Sequence, residues 1–160
     1  MTEFFKLTAQ YFILIPALAG LYIFYRHASQ RVRIIAEMAV GGAITLAIAL
    51  VANHTIHDTR PFIAGHFTPL IHGSTDNGFP SDHTLLAAFV AYLVLRYDRR
   101  LGSILFVVAA VGGAARVATG VHHMTDVIGS MVIAAIGATI GAAIVSRVYK
   151  KRRPAGERSS

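Results

Sequence analysis

The sequence contains no cysteine. Disulfides and zinc–thiolate centres are therefore excluded, and nothing about redox compartment follows. Charge is also scarce. Asp, Glu, Lys and Arg together make up 14% of the 160 residues, and only eight are acidic. The carboxylates form no cluster that would hold magnesium, so the expectation is metal-free chemistry with no cofactor. No internal repeat is present. The first apolar run lacks a basic leader and a small-residue cleavage site, so it reads as a retained helix rather than a signal peptide.

Apolar sequence fills the space that charge leaves. Hydrophobic residues reach 54% and the mean hydropathy is +0.56. These values suit a membrane protein better than a soluble one. The net charge of +7 could answer to nucleic acid. Here the basic residues sit in short runs between apolar segments, which points to membrane orientation and to no nucleic-acid partner.

Five apolar runs can be read along the chain: residues 9–25, 34–52, 80–97, 101–119 and 126–148. The first has aromatic residues at both ends, as in an interfacial belt, and Pro16 predicts a kink within it. Gly41, Gly42 and Ala43 in the second run, Gly112 and Gly113 in the fourth, and the Gly/Ala stretch 137–142 in the fifth read as helix-packing surfaces. Residues 53–82 are polar and rich in Pro, Gly and His, and predict a long loop carrying a short helix. The fold expected is an all-α integral membrane bundle of about five transmembrane helices. It occupies residues 1–149, and a basic, disordered tail follows at 150–160.

Orientation follows from counting. With the tail in the cytoplasm, twelve of the fifteen Lys and Arg residues fall on that side. Lys6, Arg60 and Arg116 remain opposite. This asymmetry places the long loop and the 120–125 link on the outer face of a bacterial plasma membrane. Arg60 and Arg116 have no orienting role there and call for another explanation.

Residues 115–126 supply one, with an arginine, two histidines and an aspartate at the seam of two apolar runs. Charged groups near a hydrocarbon core are costly and mark function. His122 and Asp126 stand four residues apart, the spacing of one helix face. A carboxylate on one ring nitrogen fixes the tautomer and frees the other nitrogen for attack. Two more clusters adjoin helix ends on the same side: Asp58-Thr59-Arg60-Pro61 and Pro80-Ser81-Asp82-His83. Two guanidiniums make a fork for a tetrahedral oxyanion such as phosphate. Ser81 and the backbone N–H groups opening the third run can donate to the same anion. One histidine could attack phosphorus while the other protonates the leaving oxygen.

Taken together, Arg60-Pro61, then Pro80-Ser81-Asp82-His83, then Arg116 with His122 and Asp126, resembles the three-part signature of the type 2 phosphatidic acid phosphatase superfamily. That signature runs Lys, six residues, Arg-Pro; Pro-Ser-Gly-His; and Ser-Arg, five residues, His, three residues, Asp. The resemblance implies a phosphatase in which His122 is the nucleophile, Asp126 orients it, and His83 serves as acid and then as base. It implies that Arg60, Arg116, Ser81 and the backbone near Asp82 bind phosphate. Three positions depart from the pattern. Asn53 stands where the lysine is expected and would hydrogen-bond phosphate without charge, Ala115 replaces serine, and Asp82 replaces glycine. The Pro-Ser-Asp-His form resembles the undecaprenyl-diphosphate phosphatases of the superfamily.

The implied activity is outer-face hydrolysis of a lipid phosphate, with undecaprenyl diphosphate as first choice and the tail entering laterally between spans. A phosphatidic acid or phosphatidylglycerophosphate phosphatase is the nearest alternative. A non-catalytic lipid-phosphate binder or carrier is the alternative from another class, and a metal carrier built on His54 and His57 is a third. His123, Asp76 and the remaining loop histidines read as spectators or turn residues. Glu37 reads as snorkelling or paired with a nearby arginine.

Overall fold

The computed structural model describes residues 1–152, and these form helices and loops with no strand among them. The helices are α1 (Thr2–Tyr11), α2 (Leu14–Arg26), α3 (Arg31–Thr55), α4 (Pro61–Ala64), α5 (Asp82–Leu95), α6 (Arg99–Ala118) and α7 (Met124–Arg152). The basic segment beyond Arg152, expected to be a disordered tail, lies outside the described residues.

Four stretches are long and apolar enough to cross a membrane: Thr2–Arg26, Ala28–Thr55, Arg99–Ala118 and Met124–Lys151. Their outward faces carry exposed Leu18, Val51, Val107, Ile128 and Ile140, which only hydrocarbon would cover favourably. The chain is a multi-pass helical membrane protein. α5 differs from the expected third span. It has 14 residues, so at 1.5 Å per residue its length falls short of the hydrocarbon thickness. It is instead packed against α2, α3, α6 and α7.

α5 is the centre of the packing because its residues are small on several sides. Ala87, Ala88 and Ala91 are fully buried, and Phe89 joins Phe12, Phe79, Ile133 and Ala134 in one core cluster. Leu93 and Val94 enter a second cluster with Ile23, Ile34 and Leu105. α3 and α7 meet along the small residues singled out above. Any Cβ on Gly141 would collide with the Gly41 backbone, and one on Gly137 with Thr45, so close approach depends on these glycines.

Pro16 breaks the first helical stretch, but upstream of itself. Lacking an N–H, it leaves the Phe12 carbonyl without its usual donor, and Ile15 N–H supplies one through a tighter turn at 3.2 Å. The helix therefore divides at Phe12 and Ile13. Phe12 then inserts its ring against Gly112 of α6.

At the end of the bundle away from the long loop, Glu37 is 2% exposed. It accepts from Arg33 at 2.9 Å, from Arg96 at 3.0 and 3.1 Å, and from Tyr97 at 3.0 Å. Two guanidiniums and a hydroxyl compensate a carboxylate that would be prohibitive to bury alone.

Candidate active site

The other end of the bundle gathers the loop between α3 and α5, the N-terminus of α5, the C-terminus of α6 and the link into α7. Asn77 organises the loop. Its amide donates to the carbonyls of Asn53 and Ile56, each at 2.7 Å, while its Oδ1 accepts from Asp58 N–H at 2.8 Å. Gly78 N–H donates to the Asp58 carbonyl at 2.9 Å. Asn53 donates its amide to the Phe79 carbonyl at 2.8 Å. The residue expected to reach phosphate is thus engaged by the backbone leading into α5. Phe79 in turn is buried against Gly129 of α7.

His122 lies just before α7 and is 2% exposed. Its Nδ1 is 3.0 Å from the Gly78 carbonyl and 3.3 Å from Asp126 Oδ2, both acceptors, so Nδ1 carries the hydrogen. On the far side of the ring, Nε2 lies 3.4 Å from Arg60 Nη1, which can only donate. Both contacts therefore require the same tautomer, with an unprotonated Nε2. An imidazole held this way is suited to nucleophilic attack. Asp126 is fully buried, and its Oδ2 also accepts from His123 N–H at 2.8 Å.

Arg60 caps the short α4 and is 7% exposed. It donates to Asp76 Oδ1 at 2.7 Å and to the carbonyls of Asp76 and Val121 at 3.1 and 3.2 Å. This guanidinium holds the Asp76 carboxyl below the usual aspartate range. Arg116 is equally buried but less committed. Its Nη1 donates to the Ala9 carbonyl at 3.2 Å, and its Nε is buried with no partner. A buried donor left open is costly unless an anion fills the place. Arg116 lies within electrostatic reach of Arg60, and His83 within reach of Arg116 and His122.

α5 begins here. Ser81 is its N-cap residue, fully buried, with its hydroxyl 3.2 Å from that of Thr84. The first N–H groups of the helix have no intrahelical partner and give an anion a donor set at the positive end of the dipole. The Asp82 side chain is exposed and faces an apolar groove between α3 and α5, lined by Leu46 and Leu86. What Asp82 can offer an anion is therefore its backbone N–H. His83 is half-buried and lines a cavity of about 240 Å³ together with Arg116, Lys6, Gln10 and His72.

Three contacts were not legible in the sequence. His123 Nδ1 lies 2.9 Å from Asp58 Oδ2, so His123 has a partner. Asp76 is the counter-ion of Arg60 rather than a turn residue alone. Lys6 and Gln10 of α1 reach the cavity wall. Burial and the neighbouring Asp126 carboxylate push the Asp58 carboxyl up, and His123 offsets this in part. Among the described residues, Asp58, His123 and Asp126 are the donors close enough together to hold a metal ion, with ligand atoms within 4.8 Å of one another. His54 turns back to its own helix, 2.8 Å from the Leu50 carbonyl.

A family model, the PAP2 superfamily, matches residues 32–152. The undecaprenyl-diphosphatase BcrC of Bacillus subtilis (strain 168) is 31% identical over 127 residues, covering 79% of this chain and 66% of that protein. The chain spans 62 to 66% of the length of the curated relatives it matches. Among solved structures, Aquifex aeolicus LpxE superposes with a TM-score of 0.66 at 20% identity, covering 88% of this chain and 93% of that one. The first transmembrane PAP2 type phosphatidylglycerolphosphate phosphatase from Bacillus subtilis superposes with a TM-score of 0.57 at 26% identity, covering 97% and 77%.

Proposed function

The chain belongs to the PAP2 superfamily, and from that premise we propose that it is a membrane lipid phosphatase that converts undecaprenyl diphosphate to the monophosphate. The observation that carries the reading is His122. Its Nδ1 is tied to Gly78 and Asp126, and its Nε2 is unprotonated and faces Arg60 Nη1.

The terminal phosphoryl group binds between Arg60 and Arg116, with the open N–H groups of α5 and the Ser81 hydroxyl as further donors. His122 Nε2 attacks phosphorus in line. His83 protonates the departing oxygen, and the lipid monophosphate leaves. The bond from phosphorus to the bridging oxygen breaks as the bond to His122 forms. His83, now neutral, takes a proton from water, which attacks the phosphohistidine and releases phosphate. Asp126 stabilises the charge that His122 acquires in the first step. No step requires a metal.

The positive-inside asymmetry supports a site on the outer face, with the α7 end in the cytoplasm. The structural likeness to a phosphatidylglycerolphosphate phosphatase favours a second reading, a phospholipid monoesterase using the same residues.

The test is phosphate release from undecaprenyl diphosphate in detergent with chelator, wild type beside His122→Ala. Release by the wild type alone is expected. Equal release by both proteins would overturn the His122 mechanism. A wild type that binds phosphate lipids without turnover would make the chain a binding protein.

A further inference from the structure

The cavity that holds His83 extends beyond the groups needed for a single phosphoryl group. Its lining runs from buried Arg116 and half-buried His83 and Lys6 to exposed Gln10 and His72. At about 240 Å³ it is small for a lipid chain and suits a polar head group. Lys6 and Gln10 are four residues apart on α1 and so share one face. That face is fixed on the site, because the carbonyl of the intervening Ala9 accepts from Arg116 at 3.2 Å, and Ala9 is fully buried.

The direction of the reaction assigns this space. In an in-line displacement the leaving group departs opposite the nucleophile, on the side of the group that protonates it. That group is His83, so the His83 cavity receives the leaving group. When the substrate is a lipid diphosphate, the leaving group is itself a phosphate and arrives with charge. Arg60 is already engaged with the terminal phosphoryl group in this mechanism, and Asp76 shares its guanidinium at 2.7 Å. Asn53 brings no charge and is held by the Phe79 carbonyl. Lys6 is the remaining cation on the wall. Its present partner is Glu3, at 2.8 Å, with the two side chains 35% and 76% exposed. Exposed pairs of this kind hold weakly and give way to a stronger acceptor.

We propose that Lys6, with Gln10 and His72, forms a subsite for the lipid-side phosphate of a diphosphate substrate, making the enzyme prefer diphosphates over monoesters. The proposal rests on the phosphatase reading above. Lys6 binds the phosphate that departs with the lipid and stabilises the charge remaining on it. His83 supplies the proton to the bridging oxygen, and His122 retains the other phosphoryl group.

The experiment measures kcat/KM of the full chain in detergent on undecaprenyl diphosphate and on phosphatidic acid, for the wild type, Lys6→Met and Lys6→Arg. The ratio of diphosphate to monoester activity should fall about tenfold or more in Lys6→Met, the scale of a lost charge-assisted contact, and recover substantially in Lys6→Arg. Inorganic diphosphate should inhibit the wild type more strongly than orthophosphate, and Lys6→Met should lose that difference. Equal losses on both substrates, or an unchanged ratio with unchanged inhibition, would overturn the subsite and leave the phosphatase reading standing. A wild type inert on every lipid phosphate would overturn that reading itself, before any variant is compared.

Discussion

Arg60 Nη1 lies 3.4 Å from His122 Nε2, on the side of the ring away from Asp126. The guanidinium cannot accept, so the contact is possible only when Nε2 is unprotonated. In the proposed mechanism the guanidinium that binds the anion thus also reports the tautomer that attacks it. Asp126→Asn should keep the packing of this fully buried residue and lose the charge that stabilises the imidazolium. Turnover should fall on the order of 10²-fold or more, with substrate binding less affected. Steady-state kinetics beside a lipid-phosphate binding assay would separate the two effects.

His83 should matter in proportion to how badly the leaving group needs a proton. His83→Ala should lose about 10²- to 10⁴-fold on a lipid phosphate and much less on an aryl phosphate with an acidic leaving group. A similar loss on both would remove His83 from the role of acid and make it a binding residue.

The loop that carries the site depends on Phe79 reaching Gly129. A Cβ on Gly129 would collide with the Phe79 ring, whose carbonyl also anchors Asn53. Gly129→Val should destabilise the protein by about 1–3 kcal/mol through overpacking and should lower activity with it. Thermal unfolding in detergent would show a reduced Tm. An unchanged Tm with full activity would mean that the loop does not depend on this contact.

Acid should weaken the hold on Arg60. The guanidinium lowers the folded-state pKa of Asp76, so the pair contributes stability above the unfolded pKa of about 3.9 and loses it as pH falls through the depressed folded value. Asp76 is 69% exposed at its side chain, so solvent screening keeps the contribution small. Asp76→Asn should unfold at a lower temperature than wild type at neutral pH, and the difference should shrink toward pH 3. A difference that grows on acidification would contradict the assignment.

Much of the molecule is legible in the linear sequence because membranes impose local rules. A helix in hydrocarbon must satisfy its backbone internally, so apolar length alone marks α3, α6 and α7. The spacing of His122 and Asp126 is likewise local, as is the small-residue pattern that lets α3 meet α7. The chemistry-bearing residue types sit in short clusters, and for this reason Arg60, Ser81, His83, Arg116, His122 and Asp126 can be picked out by eye.

What only the tertiary structure decided are relationships between residues far apart in the chain. Gly78 is 44 positions from His122, yet its carbonyl helps fix the tautomer. Asp58 meets His123 across 65 positions, and Arg116 meets Ala9 across 107. No periodicity encodes such pairs, because each depends on how separate helices dock. The same holds for α5, whose apolar run is too short to span hydrocarbon and is packed against α2, α3, α6 and α7. Asn53 and Asp82 show the limit most clearly. Their positions in the chain predict phosphate contacts, and packing turns the Asn53 amide to a backbone carbonyl and sets Asp82 on the wall of an apolar groove. The sequence by itself determined which chemical groups are available and at which end of the bundle. Long-range packing decided which atoms of those groups face one another.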